Sequence, residues 1–301
     1  MDAFSDTPLL TIFTPAYNRA HTLHRLYDSL CRQQEKCFEW IVVDDGSTDG
    51  TREYIESIAA EGNFRICYYY KSNGGKHTAT NVGVEKANGR YFLCVDSDDA
   101  LAENAVSILK KCIEEKRPEG IIAYKSVLPI GTISGPCFPV GIEYATAYEL
   151  AAVYKSVGER TLVYRTDIIK SIRLPEPEGQ RFFPEVYLSD RFDERHTWFV
   201  LRDVICECEY QGDGYSASFR DLMINNPVSM KWFYADRIDL AKGITDRIWN
   251  AYHYIGYSLL AKSDEGKYRG NNGFVFLPAF PIGIVFWLYY YILKMWKSKN
   301  A

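Results

Sequence analysis

Over its first hundred residues the chain alternates short apolar runs with helical stretches, and this alternation restricts the fold more than any other feature. Leu9-Leu10-Thr11-Ile12-Phe13 reads as a strand that ends in a loop, Thr14-Pro15-Ala16-Tyr17-Asn18-Arg19. Leu23, Leu26, Tyr27 and Leu30 then recur at helical spacing. Trp40-Ile41-Val42-Val43 is a continuous apolar strand stopped by Asp44-Asp45-Gly46-Ser47, and Thr48 or Asp49 can cap a helix through about Ala60. Arg65 to Tyr70 is a third strand, Asn73-Gly74-Gly75 a turn, and Thr78 to Lys86 a helix. Tyr91 to Val95 is a fourth strand, closing in Asp96-Ser97-Asp98-Asp99. Strands alternating with helices predict a parallel sheet of βαβ units. Apolar strands without polar alternation fit a sheet covered on both faces. In such sheets ligands sit beyond the carboxyl ends of the strands. Three of the four strand ends here carry polar clusters, at 14–19, 44–49 and 96–99.

Each cluster has its own chemistry. Hard divalent cations take oxygen ligands, and Mg²⁺ or Mn²⁺ accepts one or two carboxylates plus substrate phosphates. Asp96-Ser97-Asp98-Asp99 suits that role, although a solvated acidic loop has the same composition. A carboxylate at Asp44 or Asp45 can accept from an imide N–H such as that of uracil or thymine. Tyr17 offers a stacking surface, Asn18 hydrogen bonds, and Arg19 a planar fork for phosphate. Gly74-Gly75-Lys76 opens a helix, a natural anion site. It is not a Walker A loop, because Tyr70 stands five before Gly75 and His77 follows Lys76. No G-x-G-x-x-G follows the first strand, which disfavours a nicotinamide dehydrogenase.

Taken together, T-P-A-Y-N-R, I-V-V-D-D-G-S-T-D-G-T, N-G-G-K-H-T-A-T-N-V-G-V-E-K-A-N-G-R-Y and L-C-V-D-S-D-D-A resemble the successive signatures of family 2 glycosyltransferases. The likeness covers about residues 8 to 105. It implies a GT-A α/β fold: a mostly parallel central sheet flanked by helices, here with a C-terminal helical segment. The implied activity is inverting transfer of a sugar from a nucleotide-diphosphate donor with Mg²⁺ or Mn²⁺. Asp45 resembles the family carboxylate that reads the pyrimidine, with Asp44 as its alternate. Pro15, Ala16 and Tyr17 resemble the loop around base and ribose. Asp96 and Asp98 match the D-x-D acids, with Asp98 preferred as the direct metal ligand. Thr14, Asn18, Arg19, Gly75, Lys76 and Ser97 complete the expected donor contacts. Where many members carry Arg this chain has Thr80, so Lys76 and His77 would supply the nearby charge. The K-H-T variant resembles a subgroup of bacterial surface-polysaccharide synthesis.

Inverting transfer needs a base for the acceptor hydroxyl. The family draws it from an Asp or Glu in the acceptor half of the domain. In R-F-F-P-E-V-Y-L-S-D-R-F-D-E the first candidate is Glu185, then Asp190, then Asp193. The Glu-Asp pair of many relatives is absent. Gly212-Asp213-Gly214-Tyr215-Ser216 resembles a segment that closes over donor phosphates. Trp232, Phe233 and Tyr234 read as core or acceptor-domain packing rather than a sugar platform.

The balance of 35 basic and 39 acidic side chains excludes a strongly basic nucleic-acid binder, so no nucleic-acid partner is expected. The N-terminus, MDAFSDTPLLTIF, lacks the basic region of a secretory signal. The eight cysteines are therefore expected as reduced thiols, and Cys206-Glu207-Cys208 as alternate strand positions rather than half a metal site. Aromatic residues reach 15%, and many fall near the C-terminus. From Phe274 to Leu293 the chain carries no charge, and Lys294, Lys297 and Lys299 follow. Twenty apolar residues are about enough to cross a bilayer, but Pro278 and Pro281 are expected to break the first third, leaving a helix of about a dozen residues. Trp287, Tyr289, Tyr290, Tyr291 and Trp296 suit an interfacial belt, and the lysines an anionic cytoplasmic leaflet. Interfacial or re-entrant docking is preferred to a full span; a buried hairpin or dimer surface is the alternative.

The expected organisation is a catalytic domain over 1–220, with a donor half of about 1–105 and an acceptor half of about 106–220. A membrane-associating segment follows over 221–301. The expected protein is a peripheral or monotopic enzyme at the cytoplasmic face of the membrane. It would move a hexosyl or hexosaminyl group from a UDP-sugar to a glycan or lipid-linked acceptor. Two rivals stand beside it. A sugar nucleotidyltransferase would need a Gly-rich basic loop after the first strand. Against a non-catalytic nucleotide-sugar-binding subunit stand the intact set Asp45, Asp96 and Asp98 together with a candidate base.

Overall fold

The computed structural model describes residues 7–209 and 215–299. The chain divides into two compact units, one of residues 1–173 and 188–212, the other of 174–187 and 213–301.

The first unit is built on a mixed sheet. Its donor half runs β1 (Leu10–Ala16), α1 (Leu23–Arg32), β2 (Phe38–Asp44), α2 (Thr51–Ala59), β3 (Arg65–Tyr70), α3 (Lys76–Lys86) and β4 (Tyr91–Cys94). Then come β5 (Ala100–Leu101), α4 (Ala105–Lys116), β6 (Gly120–Val127), β7 (Thr132–Ile133), β8 (Tyr144–Ala145) and α5 (Ala147–Ala152). The unit closes with β9 (Arg160–Arg165), α6 (Thr166–Ile169), α7 (Val186–Phe192, whose first two residues belong to the other unit) and β10 (Trp198–Cys208). The strand order is β3-β2-β1-β4-β9-β6-β10-β5. The strands β3, β2, β1 and β4 are mutually parallel, as the alternation predicts. Chain order reverses across β1, and this switch point opens the crevice where ligands bind in such sheets. Both β1 and β2 are buried along their whole length. Helix α1 lays Leu23, Leu26, Tyr27 and Leu30 against that core. Helix α3 lies so close to β1 that a Cβ on Gly83 would stand 2.3 Å from the Phe13 ring.

Two details differ from the sequence reading, and one agrees with it. The first strand extends through Thr14, Pro15 and Ala16, which were expected to form a loop. Val95 donates to the Phe13 carbonyl. Pro15, two residues on, therefore faces the same side beyond the end of β4, where its missing N–H breaks no ladder bond. Beyond the first hundred residues the sheet departs from the parallel pattern at β9, which stops at Arg165 and gives way to α6. It runs antiparallel between β4 and β6. Cys206 and Cys208 do sit at alternate, buried positions of β10, and all eight cysteines are unbridged.

The second unit contains α8 (Tyr215–Asn225), α9 (Pro227–Leu240), α10 (Ile244–Ala261) and α11 (Phe276–Lys299), with a short 3₁₀ turn at Gly273–Val275. Helix α11 corrects the expected break. It continues through both prolines for 24 residues. Pro278 falls in the first turn, whose N–H groups have no helical partner in any case, so only Pro281 costs an internal bond. Helices α10 and α11 cross closely: a Cβ on Gly256 would lie 2.2 Å from Phe286, and one on Gly283 2.8 Å from Ile255. The aromatic excess is partly spent here. Tyr234 stacks on His253 and Tyr257, and Phe286 and Tyr290 join them. Tyr290 thus turns into the bundle while Tyr289 and Tyr291 stay exposed.

Candidate active site

Three loops leave the carboxyl ends of β1, β2 and β4, and their hydrogen bonds tie two of them directly together. Asn18, in a left-handed conformation, donates its N–H to Ser47 Oγ and accepts from Thr48 N–H at 2.8 Å. Arg19 and Ala20 donate backbone N–H groups to Thr51 Oγ1 and Asp49. Asp49 also accepts from Thr51 N–H, but the N-cap of α2 is Gly50, not the expected Thr48 or Asp49. Tyr17 stands at this junction half exposed, open to stacking. Thr14 and Pro15 are buried instead, and the Thr14 hydroxyl accepts from the Trp40 indole at 2.9 Å. These two therefore support the sheet beneath the loop.

The end of β2 carries a buried polar hub. Asp45 is 4% exposed. Its Oδ1 accepts from Lys71 Nζ at 2.6 Å and Gly74 N–H at 2.9 Å, and its Oδ2 from Gly75 N–H at 2.7 Å. A carboxylate offers about four acceptor positions, so one on Oδ2 remains for a ligand N–H. Asp44 accepts from Ser47 N–H and the Tyr68 hydroxyl, both at 2.7 Å. Gly46 between the next loop and the hub is obligatory: its φ is +87°, and a Cβ would sit 2.7 Å from Asn73 N. Gly75, at φ +95°, starts α3 and aims its N–H at Asp45 rather than at an external anion.

The end of β4 gathers charge of both signs. Lys76 Nζ lies 2.6 Å from Asp96, and Lys125, from β6, lies 2.6 Å from Asp99. Burial opposes the Asp96 charge, but Lys76 and Lys125, aided by Arg19, outweigh it and hold the carboxyl below the ordinary aspartate value. Asp98 moves the other way, raised by desolvation and then by repulsion from Asp96. Lys125 is likewise disfavoured by burial, yet Asp99 and Asp96 together keep it firmly protonated. Ser97 is buried between the two acids.

Among the described residues no group of three or more His, Cys, Asp or Glu side chains is placed to hold a metal. The donor set does fit a hard cation shared with substrate phosphates: two carboxylates, all oxygen, with Asp98 crowded by the charge of Asp96.

The base candidates separate. Glu185 is partly buried, follows the buried Phe182, Phe183 and Pro184, and belongs to the second unit. Asp190, in α7, is partly buried in the first. Asp193 spends both oxygens on the fold, accepting from Tyr148 N–H at 2.9 Å and the Trp198 indole at 2.6 Å. Residues 212–214 of the expected phosphate-closing segment lie outside the described residues. Lys71 and Lys125 were missed as site residues. A lysine inside the otherwise apolar run Gly-Ile-Ile-Ala-Tyr-Lys-Ser-Val was the available signal for Lys125.

A crevice at the carboxyl ends of β1, β2 and β4, lined by paired carboxylates and counter-charges on a mostly parallel sheet, defines a GT-A α/β protein. Residues 11–124 match the family described as Glycosyl transferase family 2. Glycosyltransferase GlyA of Streptococcus pneumoniae serotype 4 is 32% identical over 184 residues, 61% of this chain and 26% of GlyA. The chain thus spans about a quarter of that relative's length. S. aureus TarS 1-349 in complex with UDP-GlcNAc superposes with a TM-score of 0.63 at 17% identity, covering 92% of this chain and 81% of TarS 1-349. The mannosyltransferase PcManGT of Pyrobaculum calidifontis, in complex with GDP-Man and Mn²⁺, gives 0.55 at 17% identity, covering 97% and 84%. At these identities the likeness is one of fold.

Proposed function

We propose that this protein is an inverting glycosyltransferase. It moves a hexosyl or hexosaminyl group from a UDP-sugar to a glycan or lipid-linked acceptor in surface-polysaccharide synthesis. The observation that carries the reading is that Tyr17, the Asp45 hub and the Asp96–Asp98 pair all follow the carboxyl ends of adjacent parallel strands. Tyr17 stacks the base, and Asp45 accepts its imide N–H through the remaining Oδ2 position. Asp44 braces the strand end through Tyr68 and Ser47. Arg19 and Lys76 bring positive charge to the diphosphate, which leaves with the negative charge of the broken bond. Asp98, with Asp96, would hold Mg²⁺ or Mn²⁺, which when bound offsets that developing charge. Glu185 takes the proton of the acceptor hydroxyl as its oxygen attacks the anomeric carbon opposite the diphosphate, inverting the centre; Asp190 is the second candidate. The catalytic body corresponds to about residues 1–220.

A thermal-shift screen of UDP-, dTDP- and GDP-sugars with Mn²⁺ tests the donor assignment. A ligand at 100 times its Kd stabilises by about 2.7 kcal/mol, so UDP-sugars are expected to raise Tm and GDP-sugars not. Asp98→Ala should erase the Mn²⁺-dependent part of the shift and leave the remainder. Equal shifts from all three nucleotides would refute the base assignment, and an unchanged Mn²⁺ increment in Asp98→Ala would refute the metal assignment.

The tail supports a membrane location at the cytoplasmic face. Gly273–Leu293 is long and apolar enough to cross a membrane, and only 17% of its apolar window is buried within the chain. Leu277, Phe280, Val285 and Ile292 are all more than half exposed. Interfacial docking of this face, with the lysines against anionic lipid, fits these exposures. Deletion of residues 274–301 should shift the protein from the membrane to the soluble fraction on flotation. Unchanged membrane recovery would remove the tail from the reading.

A further inference from the structure

The second unit contains a cleft that the donor chemistry does not use. It measures about 560 Å³ and lies between α9 and the 264–270 loop. Trp232, Asp236 and Asp239 line one wall at i, i+4 and i+7, which is one helix face. Tyr268 and Arg269 line the other. The sequence reading grouped Trp232 with Phe233 as packing; Phe233 is 4% exposed, whereas Trp232 faces the cleft.

The walls are held in place. Tyr268 donates its N–H to the Tyr254 hydroxyl and its own hydroxyl to Asp239 at 2.8 Å. Asn272 donates to both Tyr268 and Asp239. Lys231 Nζ reaches the Ser263 carbonyl, anchoring the loop's entry. Gly266, at φ +62°, passes so close that a Cβ would meet Trp232 Cβ at 2.6 Å. A Cβ on Gly270 would meet the Asp239 carboxylate at 1.7 Å. The loop therefore seats on the base of Trp232 without a side chain of its own in the way.

The lining selects a ligand class. Asp236, Asp239, Asp264 and Glu265 outnumber Lys267 and Arg269, so the cleft repels diphosphates and is no second donor site. Carboxylates accept from hydroxyls, and Lys and Arg donate to ether and hydroxyl oxygens. The aromatic walls suit the apolar C–H face of a pyranose, whose burial contributes roughly 25 cal/mol per Å². The volume lies within the range of about 300–1,000 Å³ usual for small-ligand sites. We infer that the Trp232–Tyr268 cleft binds the neutral glycan part of the acceptor. This rests on the glycosyltransferase reading but uses residues outside the donor site.

Calorimetric titration of the full chain with lactose, chitobiose, maltose and N-acetyllactosamine tests it, with tetralysine as the competing chemistry. At least one saccharide should bind, and Trp232→Ala and Asp236→Asn should each weaken it about tenfold with UDP affinity unchanged. With that sugar as acceptor, KM should rise about tenfold while kcat and donor hydrolysis stay level. No saccharide binding, binding unaltered in both variants, or binding of tetralysine alone would overturn the inference. Saccharide binding without any nucleotide binding would uphold the cleft while removing the proposed function.

Discussion

Asp45→Ala is expected to lower stability by about 3 kcal/mol and to abolish detectable nucleotide binding. Removing one partner of a buried ion pair costs about 3–5 kcal/mol. The lower end applies because Lys71 is 23% exposed and can regain water. The loss extends past the pair, since the N–H groups of Gly74 and Gly75 also lose their acceptor. In a domain of this size the change corresponds to a Tm drop of roughly 6–12 °C. Chemical denaturation and titration with UDP read the two effects. Lys71→Met, which leaves both amides on Asp45, should cost clearly less and keep measurable UDP affinity. An Asp45→Ala protein with wild-type midpoint and affinity would show that the hub organises nothing.

Glu185→Gln is expected to lower transfer by about 10²–10⁴-fold, the usual contribution of a general base. The amide keeps the shape of the side chain and removes its capacity to take a proton. UDP affinity and metal dependence should not change, because the donor contacts assigned above lie in the other unit. Asp190→Asn, measured alongside, should leave transfer within about threefold. The opposite pattern would move the base to Asp190, and full transfer in Glu185→Gln would exclude Glu185.

The donor half was legible because its determinants are local. Each apolar run that reads as a strand ends at the cluster that reads as chemistry, and β1 to β4 fall where those runs lie. The placement of β9 between β4 and β6 was not legible. Antiparallel insertion of a strand about seventy residues downstream is decided by which edge is left unpaired, and no local pattern records that. The tail shows the limit of a residue rule. Proline breaks a helix through a missing N–H, but the cost depends on whether that position had a partner, and at Pro278 it had none.

The sequence alone determined the strand–helix alternation, the polar strand ends and the family signatures they resemble. These follow from short-range periodicity and from side chains whose chemistry is the same in any context. Only the tertiary structure decided how those groups are used. It brought Lys71 and two glycine amides onto Asp45, set Lys76 against Asp96 and Lys125 against Asp99, and committed Asp193 to Tyr148 and Trp198. It also divided Trp232 from Phe233, one lining a cleft and the other buried. Burial and pairing set the charge and reach of a side chain, and both depend on residues far away along the chain.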